Sequence, residues 1–103
     1  MGGEESDPKE IRVTKDMALS HGDFFRTLSV LLDGESYEID GNNVRIARES
    51  GHIEIRLSPE SHRQMAALRL PRTQVELRFH DCSAQEVETF LANFDLRYRR
   101  GGG

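Results

Sequence analysis

The sequence lacks almost everything that would staple, anchor or spread it over a polyanion. It has one cysteine, Cys82, among 103 residues. A single thiol closes no intramolecular disulfide, so nothing points to a secreted, disulfide-stapled scaffold. Long apolar runs are also missing. The densest, Leu28 to Leu32, is far too short to span a bilayer, and the acidic N-terminal end has no apolar stretch of the signal-peptide kind. A cytoplasmic location with no membrane partner is therefore the default expectation. Lysine is scarce, with Lys9 and Lys15 among 14 basic residues, which reads as a composition bias rather than a function. Catalytic signatures are absent too: there is no Ser-His-Asp order, no phosphate-cradling glycine loop and no G-x-S-x-G elbow.

What is present is one domain's worth of chain. Such a length buries about 65% of the surface its unfolded form exposes, enough for one modest core and little room for a deep pocket. The composition is polar, 36% hydrophobic and 31% charged, but the apolar residues recur periodically, which argues against disorder. The net charge of -4 is unevenly spread. Residues 1–16 balance to -2, residues 97–103 to +3 through Arg97, Arg99 and Arg100, and the body between them to -5. An acidic body repels phosphate backbones, so nucleic acid is an unfavourable partner.

Periodicity predicts the elements. Residues 1–16 read as a flexible acidic tail in which Ile11 and Val13 alternate over a possible short strand. Ser20 caps a first helix, with Asp23 at its third position and Leu19 stapled to Phe24; Phe24, Leu28, Leu31 and Leu32 form its apolar face. Three alternating strands follow, around Tyr37 and Ile39, around Val44 and Ile46, and around Ile53, Ile55 and Leu57, with Gly41-Asn42-Asn43 and Ser50-Gly51 as turns. Ser58-Pro59 predicts a short second helix running through Met65 and Ala67 and ending before Pro71. A fourth strand carries Val75, Leu77 and Phe79 inward. A last helix starts at Ser83, with Glu86 completing a capping box and Val87, Phe90, Leu91 and Phe94 as its buried stripe.

The expected fold is therefore α+β, a two-layer sandwich of order α-β-β-β-α-β-α. A four-stranded, mostly antiparallel sheet has helices on one face and water on the other. A helical crossover before the fourth strand would set that strand parallel to the third. The domain spans 17–100, with a glycine tail at 101–103.

Ser20-His21-x-x-Phe24-Phe25-Arg26-x-Leu28, Ile55-Arg56-Leu57-Ser58-Pro59-Glu60 with Leu70-Pro71-x-Thr73-x-Val75, and Arg100-Gly101-Gly102-Gly103 resemble a family of small uncharacterised bacterial proteins. The resemblance covers residues 17–103. It implies an α-β(3)-α-β-α fold and no established activity, and it transfers no catalytic residue. The terminal glycines also resemble the tails of ubiquitin-like carriers, but those follow a strand, whereas this tail follows a helix and reads as a flexible end.

Four groups of residues carry possible chemistry. Cys82 lies before a helix N-cap, where the dipole can lower a thiol pKa, and His80 and Asp81 precede it; together they could form a nucleophilic or redox site. The plainer reading makes Cys82 a hydrophobic staple on Val87. Of the histidines, His52 and His80 share the wet face, where strand pairing could join them to Glu54 or Glu76. No local metal-ligand spacing exists and cysteine is scarce, so no metal or cofactor is expected. The wet face displays Glu38, Asp40, Arg45, Glu54, Arg56, Glu76 and Arg78. These serve solubility through weak cross-strand pairs, or a protein-docking platform built on Arg45, Arg56 and Arg78. The strand aromatics Tyr37 and Phe79 have inward parity, against single-stranded nucleic-acid binding. Arg97, Arg99 and Arg100 complement the last helix's dipole, or bind an anion or nucleic acid. The leading expectation is a non-catalytic interaction module, monomeric or weakly dimeric. A small thiol enzyme and an anion binder are the alternatives.

Overall fold

The structure, a computed structural model, describes residues 10–65 and 68–102. It is α+β, and its elements run β1 (Glu10–Met17), α1 (His21–Leu31), β2 (Tyr37–Asp40), β3 (Asn43–Ala47), β4 (His52–Leu57), β5 (Ser61–Met65), β6 (Leu68–His80) and α2 (Ala84–Gly102). The six strands of the described residues form one sheet in the order β1-β6-β4-β3-β2, with β5 on β6 outside that path. Every pairing is antiparallel.

Three expectations about this sheet are corrected. The first concerns strand number, six rather than four. Residues 10–16, assigned to the tail, belong to β1, which pairs with β6 from Glu10 opposite His80 to Met17 opposite Thr73. The alternation at Ile11 and Val13 continues through Lys15 to Met17. Val13 and Met17 pack against the core, while the Lys15 ammonium lies 2.9 Å from the Asp95 carboxylate of α2. The expected residues 1–9 of the tail lie outside the described residues.

The second correction replaces the short helix after Ser58. Strands β4 and β5 run one after the other along β6, with Leu57 opposite Val75 and Ser61 opposite Arg72. Four steps on one strand thus match three on the other, and the extra residue makes a bulge at Ser58, Pro59 and Glu60. The Ser58 amide donates to the Gln74 carbonyl, and the Gln74 amide donates to Ser58 Oγ, both at 2.9 Å. The serine therefore caps a bulge, and proline, which lacks an N–H, occupies the break in the ladder. Pro71 sits where β6 has a neighbour on one side only, a position that proline tolerates. Ala67, at the far end of the expected helix, lies outside the described residues.

The third correction follows from the second. With β5 in place of a crossover helix, β6 returns antiparallel to β4, and among the described residues no parallel pair forms.

The helix starts agree with the sequence. Ser20 Oγ accepts from the Asp23 amide at 3.1 Å, and Ser83 and Glu86 cap each other reciprocally at 3.1 Å. Helix α2 continues to Gly102, two residues past its expected end at Arg100, and its buried stripe runs on from Phe94 to Tyr98. Gly103 lies outside the described residues.

Both helices cover one face of the sheet. The inner face stacks in rows set by the register: Ile46, Ile53 and Phe79; then Val44, Ile55 and Leu77; then Leu57 and Val75. All eight are buried, and Phe24, Leu28, Leu32, Phe90 and Phe94 close over them. Tyr98 stacks on Phe24 at 5.1 Å between ring centres and donates its hydroxyl to the Phe24 carbonyl at 2.9 Å. Burial raises the Tyr98 pKa, keeping the donor protonated.

Phe94→Ala should cost about 3–5 kcal/mol by emptying the centre of this cluster. Tyr98→Phe should cost only about 1 kcal/mol, the worth of one buried hydrogen bond. Urea unfolding of both variants measures the difference.

Candidate functional site

Among the described residues no element lies over the second face of the sheet, and strand register lays its side chains out in rows. One row reads Arg12, Arg78, Glu54, Arg45 and Glu38 across β1, β6, β4, β3 and β2; the next reads Thr14, Glu76, Arg56, Asn43 and Asp40. Charges of both signs thus mix along and between rows. Every wet-face residue named from sequence parity is here, and Arg12 and Glu10, carried in by β1, are additions. Sequence reasoning missed those two because β1 was assigned to a tail, although the alternation up to Met17 held the signal.

The rows surround a shallow depression of about 280 Å³, lined by Glu38, Asp40, Arg45, Arg56, Glu76 and Arg78 among others. Glu76 sits between two guanidinium groups, 3.4 Å from Arg12 Nε and 3.4 Å from Arg78 Nε. The Arg78 Nε contact is not aligned as a hydrogen bond, so this buried N–H is left without a partner. Arg45 and Arg56 are exposed, and among the described residues neither has a carboxylate within 4.0 Å. Their donors face solvent.

At one end of the face the register sets His52 opposite His80, and His80 opposite Glu10. The imidazole rings stack, 4.5 Å between centres and 18° between planes. Glu54, two residues along β4 and so on the same face, turns its carboxylate to both rings. Its Oε1 lies 3.2 Å from His80 Nε2 and its Oε2 lies 3.9 Å from His52 Nε2. One donor atom from each of the three residues falls within 4.8 Å of the other two, close enough to share a cation. Burial holds the His52 pKa below 6.5, aided by Arg45 and His80 and opposed by Glu54 and Asp81.

The backbone beneath this end is tightly made. A Cβ at Gly51 would fall 1.9 Å from the His80 carbonyl oxygen, so only glycine fits there. Asp81 adopts a left-handed φ of 58°, and Ser50 Oγ donates to its carbonyl at 2.9 Å. These contacts fix where β6 ends and which way His80 points.

The thiol is differently placed. Cys82 is half-buried against the core, with Sγ 3.7 Å from the His52 carbonyl and 3.6 Å from the His80 carbonyl. Its contacts are backbone oxygens, not the His80 ring. Burial, with Glu86 next, raises its pKa, the reverse of the activation a helix N-terminus can give. The exposed Arg97 and Arg99 belong to α2, on the covered side, so they do not join Arg45, Arg56 and Arg78. The Arg100 side chain lies outside what is described. His21 Nε2 lies 2.7 Å from the Ser58 carbonyl and His62 Nε2 lies 3.8 Å from Glu60, away from the paired histidines.

Comparison with protein-family models, with curated proteins and with solved structures found no match. Among the described residues, no helix is long and apolar enough to cross a membrane.

The lowered His52 pKa fixes the sign of a pH effect. Below about pH 6.5 the unfolded chain takes up this proton before the native chain does, so stability falls with acidification. In metal-free buffer, the melting temperature of the parent should drop more between about pH 7 and about pH 5 than that of His52→Gln, in which this site does not titrate. Equal drops would show that His52 carries no such penalty.

Proposed function

We propose that this protein is a non-catalytic interaction module whose uncovered sheet face docks a protein surface carrying both carboxylates and cations. The observation that supports this most is the pair Arg45 and Arg56, exposed in neighbouring rows of a rigid sheet with no carboxylate of the described chain within 4.0 Å. A planar guanidinium with free donors matches a carboxylate in two-pronged geometry, and interfaces are enriched in arginine. Glu38 and Asp40 beside them call for cations on the partner. A face of mixed sign offers no continuous track for a phosphate backbone, so a protein fits better than nucleic acid. The strands hold these side chains in register before binding, which reduces the ordering cost of association.

The two alternatives have less behind them. A thiol enzyme needs an activated sulfur, and Cys82 has a raised pKa and only carbonyl contacts. An anion site on the last helix rests on Arg97 and Arg99, both exposed and on the opposite side from the other arginines.

The test is the double variant Arg45→Glu/Arg56→Glu, compared with the parent as bait in the protein's own cells by quantitative mass spectrometry. Each new glutamate stands opposite Glu38, Glu54 or Glu76, so stability should fall by roughly 0.2–1 kcal/mol per like-charge pair, and circular dichroism checks that the variant is folded. A protein recovered with the parent should be depleted more than about tenfold with the variant, corresponding to ~1.4 kcal/mol of lost binding. Equal recovery of every protein with both baits would contradict the docking face.

A further inference from the structure

We infer that His52, Glu54 and His80 bind one divalent transition ion of the zinc class. This does not rest on the docking reading above: Glu54 borders Arg45 and Arg56 on the same face, but the ion needs only the two histidines and that one carboxylate, and its binding is measured without any partner protein. The argument begins with register. His52 and Glu54 are two apart on β4, hence on one face, and His80 stands directly across from His52 on β6. Both strands lie inside the sheet, each paired on two sides. The three side chains therefore leave a backbone that pairing and the Gly51 contact hold in place.

The distances suit an ion. Zinc bonds nitrogen and carboxylate oxygen at about 2.0–2.2 Å, so two donors on a tetrahedral ion stand roughly 3.3 Å apart. His80 Nε2 and Glu54 Oε1 are already at 3.2 Å. His52 Nε2 and Glu54 Oε2 are at 3.9 Å, and a small rotation of one side chain closes that gap. Both imidazoles present Nε2 to the same carboxylate, although a hydrogen bond to one ring would satisfy it.

The donor set selects the class of ion. Two imidazole nitrogens and one carboxylate oxygen suit zinc, cobalt, nickel or copper(II), whereas calcium and magnesium require shells of oxygen. No thiolate takes part, because Cys82 Sγ faces backbone carbonyls. Three protein donors leave a further coordination position open to water. The nearby charges are Glu10 opposite His80, Asp81 at the strand end, and Arg45 and Arg78 on either side of Glu54, the Arg78 guanidinium lying 3.4 Å from the Glu76 carboxylate. Glu54, Glu10 and Asp81 favour a cation; Arg45 is exposed and can swing away.

The test uses tag-free protein stripped with EDTA, titrated with zinc(II) by calorimetry and with cobalt(II) by absorption. One ion per chain is expected, with a cobalt d–d spectrum and no thiolate charge-transfer band. His52→Gln and His80→Gln should each weaken binding by more than the roughly 10- to 100-fold that losing a supporting contact costs. His62→Gln, outside the cluster, should bind as the parent does. Should His80→Gln fail to fold by circular dichroism, Glu54→Gln takes its place, and it should weaken binding likewise. The proposal is overturned by no binding of either ion, by a thiolate band, or by parent-like affinity in His52→Gln and Glu54→Gln.

Discussion

Strand β6 is the constraint on which the rest of the molecule depends. From Val75 to His80 it is bonded along both edges, to β1 on one side and to β4 on the other. Its inward residues Val75, Leu77 and Phe79 are fully buried and form the floor on which the helices pack. Its outward residues Glu76, Arg78 and His80 form the middle of the open face. A one-residue slip of β6 would exchange these two sets. The hydrophobic core therefore fixes the polar face, because an alternative register would place charges under Phe24 and Phe94.

This coupling explains why much of the candidate site was legible in the sequence. Parity alone assigned Arg45, Glu54, Arg56 and Arg78 to one face, since each alternates with an apolar residue that must be buried. It also placed His52 and His80 on that face. Pairing partners were not legible, because alternation says which way a side chain points and not what lies beside it. The helix starts at Ser20 and Ser83 were readable for a different reason: a cap is a local hydrogen bond within four residues.

The errors share one cause. Ser58-Pro59 has the same local chemistry whether it opens a helix or fills a bulge, and the choice is made by β6, many residues later in the chain. Residues 61–65 could then pair with the first part of β6, lengthening a hairpin where a crossover had been expected. Glu10–Met17 was undervalued because its two clearest apolar residues gave a weak signal, and its stability comes from a partner more than fifty residues away. Tyr98 lies inside the expected helix, four residues after Phe94, but its ring carries a hydroxyl that parity alone does not bury; packing on Phe24 and Phe94 and the bond to the Phe24 carbonyl do so.

The uncovered face, its arginines and its histidine pair all stand or fall with the antiparallel register of β4, β6 and β1. Backbone nuclear Overhauser effects in the intact protein measure it directly. The account predicts cross-strand contacts between His52 and His80, between Ile55 and Leu77, and between Thr14 and Glu76. Sequential helical contacts from Ser58 to Met65, with no contact between β4 and β6, would contradict it and dissolve the site.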